Sequence, residues 1–263
     1  MEDVGSVGIG RRSSVASAEG PDSLPTDLAE CYRQAKVARG GGFAYTTLVS
    51  DRLASSLVAV AIRFRVHPSL LTLGNLAFGV GGSLAVIVGA HQPSPSAAVC
   101  VGALLWQVAY LFDCADGQTA RATGTATAAG ARLDPLVDLA VQSSIVVALV
   151  EVAQHWSHPP VAALAAFAVL WPVNLLTFMA GKASSGQVAS LIRTRAKWAY
   201  AVRATRDYGL TMLVIGCWVA LAPRTVIYPM LVVLGVNGTV LLGYIGTDAV
   251  RSVRAANSRA EAG

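Results

Sequence analysis

Asp113, Asp116, Asp134 and Asp138 stand close together in a chain with only 15 acidic residues, interleaved with Gly117, Ala120 and Gly130. Carboxylates grouped in this way can hold hard divalent cations, accept a proton, or pair with a nearby base. Helical geometry decides whether they can act together. At 3.6 residues per turn, Asp113, Asp116, Gly117 and Ala120 fall within about 100° of one another on one helix. Gly130, Asp134 and Asp138 climb one face of the next helix at i, i+4 and i+8. The connection between the two is short, so the two acidic stripes can meet. Four converging carboxylates repel unless protonated or neutralised, and two cations held by shared carboxylates form a clamp for phosphoryl chemistry. Pairing with Arg121, Arg132 or the basic stretch 182–207 would account for any single aspartate. For all four at these spacings it is the weaker reading. The missing side chains at Gly117 and Ala120 suit a bulky ligand that approaches the helix closely.

The elements that must carry these acids follow from composition. The chain is 54% hydrophobic and only 13% charged, with a mean hydropathy of +0.55. Soluble domains are about 25% charged, so an all-α integral membrane protein is expected. The net charge of +5 then reports orientation rather than nucleic-acid binding. Six transmembrane helices are expected at about 69–90, 97–121, 131–153, 160–181, 208–222 and 226–247. An amphipathic helix lying in the membrane interface is expected before them, at 45–66; a seventh span is the competing reading there. His67-Pro68 ends that segment. The glycines Gly74, Gly79, Gly81 and Gly82 would let the first span approach its neighbours closely.

Residues 1–42 lack the apolar run of an export signal and read as a flexible tail, with a helix between Asp27 and Ala38. Residues 43–250 are expected to form a six-helix membrane domain carrying the acids, and 251–263 a basic tail. Of the 20 Lys and Arg residues, only Arg224 falls in the loops 91–96, 154–159 and 223–225. That asymmetry puts both termini and the acidic stripes in the cytoplasm. Asp113 then lies near the far edge of the hydrocarbon core, since the helix from Ala97 to Phe112 is about 24 Å long. His155, Trp156 and His158 fall on the opposite side as interfacial residues. The four cysteines lack metal-type spacing and read as reduced thiols.

The pattern Asp113-x2-Asp116-Gly117-x2-Ala120-Arg121-x8-Gly130-x3-Asp134-x3-Asp138 resembles the complete signature of the CDP-alcohol phosphotransferase (phosphatidyltransferase) family. With the six-span layout, the similarity extends over about 45–247. The resemblance implies that an alcohol attacks the β-phosphorus of a CDP-linked donor and releases CMP, as in phospholipid biosynthesis. It implies that Asp113, Asp116, Asp134 and Asp138 hold two divalent metal ions, Mg²⁺ or Mn²⁺, and that Asp138 is also the catalytic base. Gly117 and Ala120 would make room for the cytidine, and Arg121 would fix the acidic cluster or the diphosphate. Pro68 to Thr72 is similar to the start of the family's first span, which would bring Thr72 and Asn75 to the nucleotide; satisfying helix ends is the alternative role. One departure is Pro135, which is harmless in a first helical turn and kinks a helix deeper in.

The donor expected from the resemblance is CDP-diacylglycerol, with an alcohol acceptor, a homodimeric assembly and a bacterial plasma membrane location. Arg193 and Lys197 share a helical face, with Arg203 and Arg206 nearer the membrane. Positive-inside topology accounts for these bases, and holding an anionic acceptor such as glycerol 3-phosphate or inositol phosphate is the functional alternative. A soluble CDP-alcohol with a lipid or inositol-phosphate-type acceptor is a second arrangement. A small ion-coupled transporter is the rival from another class, but it would place its acids nearer the bilayer midplane.

Overall fold

A computed structural model describes residues 27–38, 45–92, 97–183 and 207–261. Those residues are helical with short connections and contain no strand. Helix α1 (Leu28–Val37) is followed by a π-helical turn, Thr46–Ser50, that runs directly into α2 (Asp51–Arg63). Then come α3 (Pro68–Ala90), α4 (Ala97–Thr123), α5 (Gly130–Trp156) and α6 (Val161–Ala183). The chain closes with α7 (Tyr208–Leu221), a 3₁₀ turn at Pro223–Thr225, and α8 (Ile227–Glu261).

Among the described residues, four helical stretches are long and apolar enough to cross a membrane: Pro68–Ala90, Ala97–Thr123, Gly130–Trp156 and Pro223–Val253. Val161–Val173 and Tyr208–Leu221 are shorter apolar helices. Leu73, Leu84, Leu104, Val147 and Leu242 are exposed on the outer surface; lipid solvates such side chains, so they need no protein partner.

The bundle is centred on α4, which packs against α2, α3 and α7, while α5 joins α3 to α6 and α8 lies along α6. Glycine sets the closeness of α3 and α4. A Cβ built on Gly82 would stand 2.8 Å from the carbonyl oxygen of Gly102, and one on Gly102 would stand 2.6 Å from that of Gly82. Gly74 and Gly79 make similar room for Phe112 and Val141, whereas Gly81 faces open space. A polar chain crosses the same contact: Trp106 Nε1 donates to Ser83 Oγ (3.1 Å), and Ser83 Oγ lies 2.9 Å from Ser144 Oγ on α5.

Each end near the acids is held by local chemistry. Pro68 occupies the first turn of α3, where its absent N–H costs nothing, and His67 Nδ1 accepts from Ser69 N. Helix α2 ends in a Schellman-type cap: Val66 N donates to Ala61 O and Arg65 N to Ile62 O, with Arg65 at φ 53°. Gly124, at φ 67°, ends α4 so that the chain turns back into α5. Pro135 falls in the second turn of α5, beyond the harmless first turn, and deprives the Ala131 carbonyl of its usual donor.

The helix expected between Asp27 and Ala38 is present, and it is docked. Cys31 and Ala35 are fully buried against Ala54, Val58 and Ile62 of α2. The α2 segment has two faces. One is buried on α1 and α4, anchored by Gln118 Nε2 donating to Asp51 Oδ1 (3.2 Å); the other exposes Leu53, Val60 and Arg52.

Candidate active site

The acids converge from two helices. One carboxylate oxygen from each of Asp113, Asp116 and Asp134 lies within 4.8 Å of the others. Asp113 and Asp116 come from consecutive turns of α4, and Asp134 from α5 after the Gly124 reversal. Asp138 lies one turn further along α5. Asp116 is buried, while Asp113, Asp134 and Asp138 are partly open. Two full negative charges at such a separation repel by about 3 kcal/mol at an effective dielectric near 20. The cluster therefore calls for protons or a cation.

The third wall is α3, through an arrangement that its sequence only half announces. Thr72 Oγ1 donates to Asp116 Oδ2 at 2.6 Å and is itself buried. Asn75 Nδ2 donates to Asp138 Oδ1 at 3.4 Å. Thr72 and Asn75 were read from sequence as nucleotide contacts or helix-end partners. The structure pairs each with an aspartate of another helix, and Thr72 Oγ1 also reaches the Pro68 carbonyl at the start of α3 (3.4 Å). Removing the Thr72 hydroxyl as Thr72→Val is expected to lower turnover about tenfold by freeing the Asp116 carboxylate from its single orientation. Initial rates against divalent metal concentration would check this, with a higher metal requirement as the accompanying sign.

Gly117 and Ala120 share the α4 face with the acids. The space over Gly117 is bounded by Arg121, whose Nη1 would stand 3.0 Å from a Cβ built there. The same guanidinium donates from Nε to the carbonyl oxygen of Ala38 at the end of α1, 2.9 Å away. Arg121 thus links α1 to the rim of the site, a contact that sequence offered no signal for. Gly130 begins α5, with its N–H bonded to Thr127 Oγ1. Arg193, Lys197, Arg203 and Arg206 lie outside the described residues.

Behind the acids, a second polar group ties the π-helical turn to α4 and α7. Asp207 caps α7 by accepting from Leu210 N (3.3 Å), and its carboxylate also receives Thr46 N (3.1 Å) and Thr46 Oγ1 (3.0 Å). Thr46 Oγ1 also meets Tyr110 Oη at 2.7 Å, and Tyr45 Oη donates to Gln107 Oε1 at 3.0 Å. Burial, and next the Asp207 carboxylate, push the Tyr45 phenol up, so it serves as a donor. Asp207 is a structural carboxylate, fully occupied; the cluster acids are of a different kind.

The donor set fits a hard cation. Oxygens bound to one Mg²⁺ or Mn²⁺ at about 2.1 Å cannot lie much more than 4 Å apart, and larger ions extend the limit to about 5 Å. Three carboxylate oxygens within 4.8 Å satisfy that requirement with little movement. Comparison with known families agrees with this chemistry: the family model for CDP-alcohol phosphatidyltransferase matches residues 65–241. The chain belongs to the CDP-alcohol phosphatidyltransferase family. It is accordingly a phosphotransferase, and its apolar helices agree with the membrane setting in which the family works. No curated protein matches the chain. The family match begins at the Arg65 cap and so leaves α1 and α2 outside it.

Proposed function

We propose that this phosphatidyltransferase is metal-dependent and moves a phosphatidyl group from CDP-diacylglycerol to a water-soluble alcohol, releasing CMP. The observation that carries the reading is the convergence of the Asp113, Asp116 and Asp134 oxygens in a chain of this family. Asp113, Asp116 and Asp134, with Asp138, would hold two divalent ions, Mg²⁺ or Mn²⁺. When bound there, the ions offset the negative charge that develops on the departing CMP.

The remaining roles belong to the chain. Thr72 holds the Asp116 carboxylate in one orientation, and Asn75 does the same for Asp138. Gly117 and Ala120 leave the α4 surface bare for the cytidine, with Arg121 at its edge for the diphosphate. Asp138 takes the proton of the acceptor hydroxyl as the new bond forms between its oxygen and the β-phosphorus. The bond from that phosphorus to the anhydride oxygen breaks, and CMP leaves. Arg193, Lys197, Arg203 and Arg206 are proposed to draw an anionic acceptor such as a phosphorylated polyol.

In this reading six helices span the membrane, α2 rests in the interface with Leu53 and Val60 toward lipid, and the acids face the cytoplasm. A homodimer is the proposed assembly. Gly74, Gly79, Gly82 and Gly102 are already committed to contacts within the chain, so they support no contact with a second copy.

The test is a set of alcohols and phosphorylated polyols offered to the protein in membranes with labelled CDP-diacylglycerol and Mg²⁺ or Mn²⁺. CMP and a new lipid should appear together with one acceptor class, and both should vanish with a chelator. Absence of CMP with every acceptor, or release that ignores the chelator, would overturn the reading. The first result would leave room for an ion-coupled transporter.

A further inference from the structure

Two tyrosines stand side by side behind the acidic cluster, and their hydroxyls have opposite fates. Tyr110 lies one turn before Asp113 on α4, and its hydroxyl is satisfied by Thr46 Oγ1 at 2.7 Å. Tyr208 opens α7 directly after the Asp207 cap, and its ring meets that of Tyr110 edge to face, with centroids 5.6 Å apart and an interplanar angle of 79°. The Tyr208 hydroxyl oxygen is buried and finds no hydrogen-bond partner among the described residues. The charged groups acting on it are the carboxylates of Asp138 and Asp113.

An unpaired buried hydroxyl is costly, and a phenylalanine of the same shape would avoid the cost. The ring alone would satisfy the packing, since it already rests against Tyr110 and the apolar core. An orphan donor retained beside an active site marks a position where stability has been given up for a substrate contact. Its side of the cluster matters. Tyr110 stands one turn before Asp113 on α4, so the Tyr208 ring packed against it lies toward the Asp113 end of the cluster, away from the cytidine surface. Gly117 and Ala120, the bare surface for the nucleotide, lie further along α4, beyond Asp116.

We infer that the Tyr208 hydroxyl is a binding group of the acceptor pocket, hydrogen-bonded to an oxygen of the incoming alcohol beside the hydroxyl that Asp138 deprotonates. This rests on the proposed transfer reaction and adds to it a residue that lies outside the aspartate motif. Position 208 is also next to the basic stretch proposed to draw an anionic acceptor, so attraction and final placement would come from adjoining parts of the chain.

The experiment compares wild type and Tyr208→Phe, full-length in membranes, with CDP-diacylglycerol and either glycerol 3-phosphate or inositol phosphate, whichever supports CMP release. The expected result is an acceptor KM raised about tenfold, a donor KM unchanged, and a thermal midpoint equal to or above wild type. Unchanged acceptor kinetics would overturn the assignment while leaving the transfer reaction standing. A lowered midpoint, with both KM values moved alike, would also overturn it, because that is the mark of a structural role. If wild type releases no CMP with any alcohol or phosphorylated polyol of the set above, the transfer reading fails, and the Tyr208 assignment falls with it.

Discussion

Asp113→Asn is expected to reduce CMP release from CDP-diacylglycerol by about a thousandfold or more, and Asp138→Asn to do the same. The two losses have different physical origins. Asp113 supplies an oxygen to the three-carboxylate cluster, so its replacement removes a full charge and one ligand from the proposed metal site. Asp138 accepts from Asn75 and would receive the acceptor's proton, which an amide cannot do. Stability should move the other way. Replacing one of four mutually repelling carboxylates by a neutral amide removes about 3 kcal/mol of repulsion per ionised neighbour at most. The metal-free Asp113→Asn protein should therefore melt at or above the wild-type temperature. Added Mn²⁺ should raise the wild-type midpoint and leave that of Asp113→Asn nearly unmoved, since a ligand stabilises only the state that binds it. Normal CMP release in either variant would defeat the proposed roles. Asp207 supplies a contrast, because three donors hold its carboxylate. Loss of those bonds would lower stability, as expected of an acid that builds the fold.

The second large effect concerns packing. Gly102→Ala is expected to destabilise the protein by about 2–3 kcal/mol, the upper part of the range for an overpacked core. The new methyl would meet the carbonyl oxygen of Gly82 at 2.6 Å, Val86 Cγ2 at 2.6 Å and the backbone nitrogen of Val86 at 3.0 Å. Two of those three atoms are backbone, so no side chain can turn aside; α3 and α4 must separate. Separation would also pull Thr72 from Asp116, and activity should fall with stability. Gly81→Ala is the control. Nothing lies within 4 Å of a Cβ at Gly81, and alanine in a helix is favoured over glycine by about 1 kcal/mol. Thermal unfolding of the detergent-solubilised proteins should place Gly102→Ala well below wild type and Gly81→Ala level with it or above. Equal midpoints for the two variants would refute the close approach of α3 and α4.

The comparison of these glycines shows how far sequence alone could reach. Gly74, Gly79, Gly81 and Gly82 read alike in sequence, as small residues of one apolar helix. In the fold three of them sit against other helices and the fourth faces open space. The helix expected between Asp27 and Ala38 was legible in the sequence, and Asp27 caps it. Its docking through Cys31 and Ala35, and the reach of Arg121 to the Ala38 carbonyl, were not legible. Thr72 and Asn75 were singled out, yet their partners were missed, because nothing in residues 68–75 says which distant acids they will face. Tyr208 gave no signal at all: one tyrosine at the start of an apolar segment is unremarkable until its hydroxyl is seen to be buried, with no partner among the described residues.

Sequence by itself determined the helical class and, through the motif's resemblance, the family with its reaction class, and it singled out the four candidate acids. These depend on local quantities: hydropathy over a helix length, the angular period of side chains, and the spacing of carboxylates beside glycine and alanine. Only the tertiary structure decided that Asp113, Asp116 and Asp134 bring oxygens within 4.8 Å, and that α3 orients Asp116 and Asp138. It alone left Tyr208 waiting beside them. Contacts between helices depend on how closely and at what rotation two helices pack, and many residues far apart in the chain set that jointly.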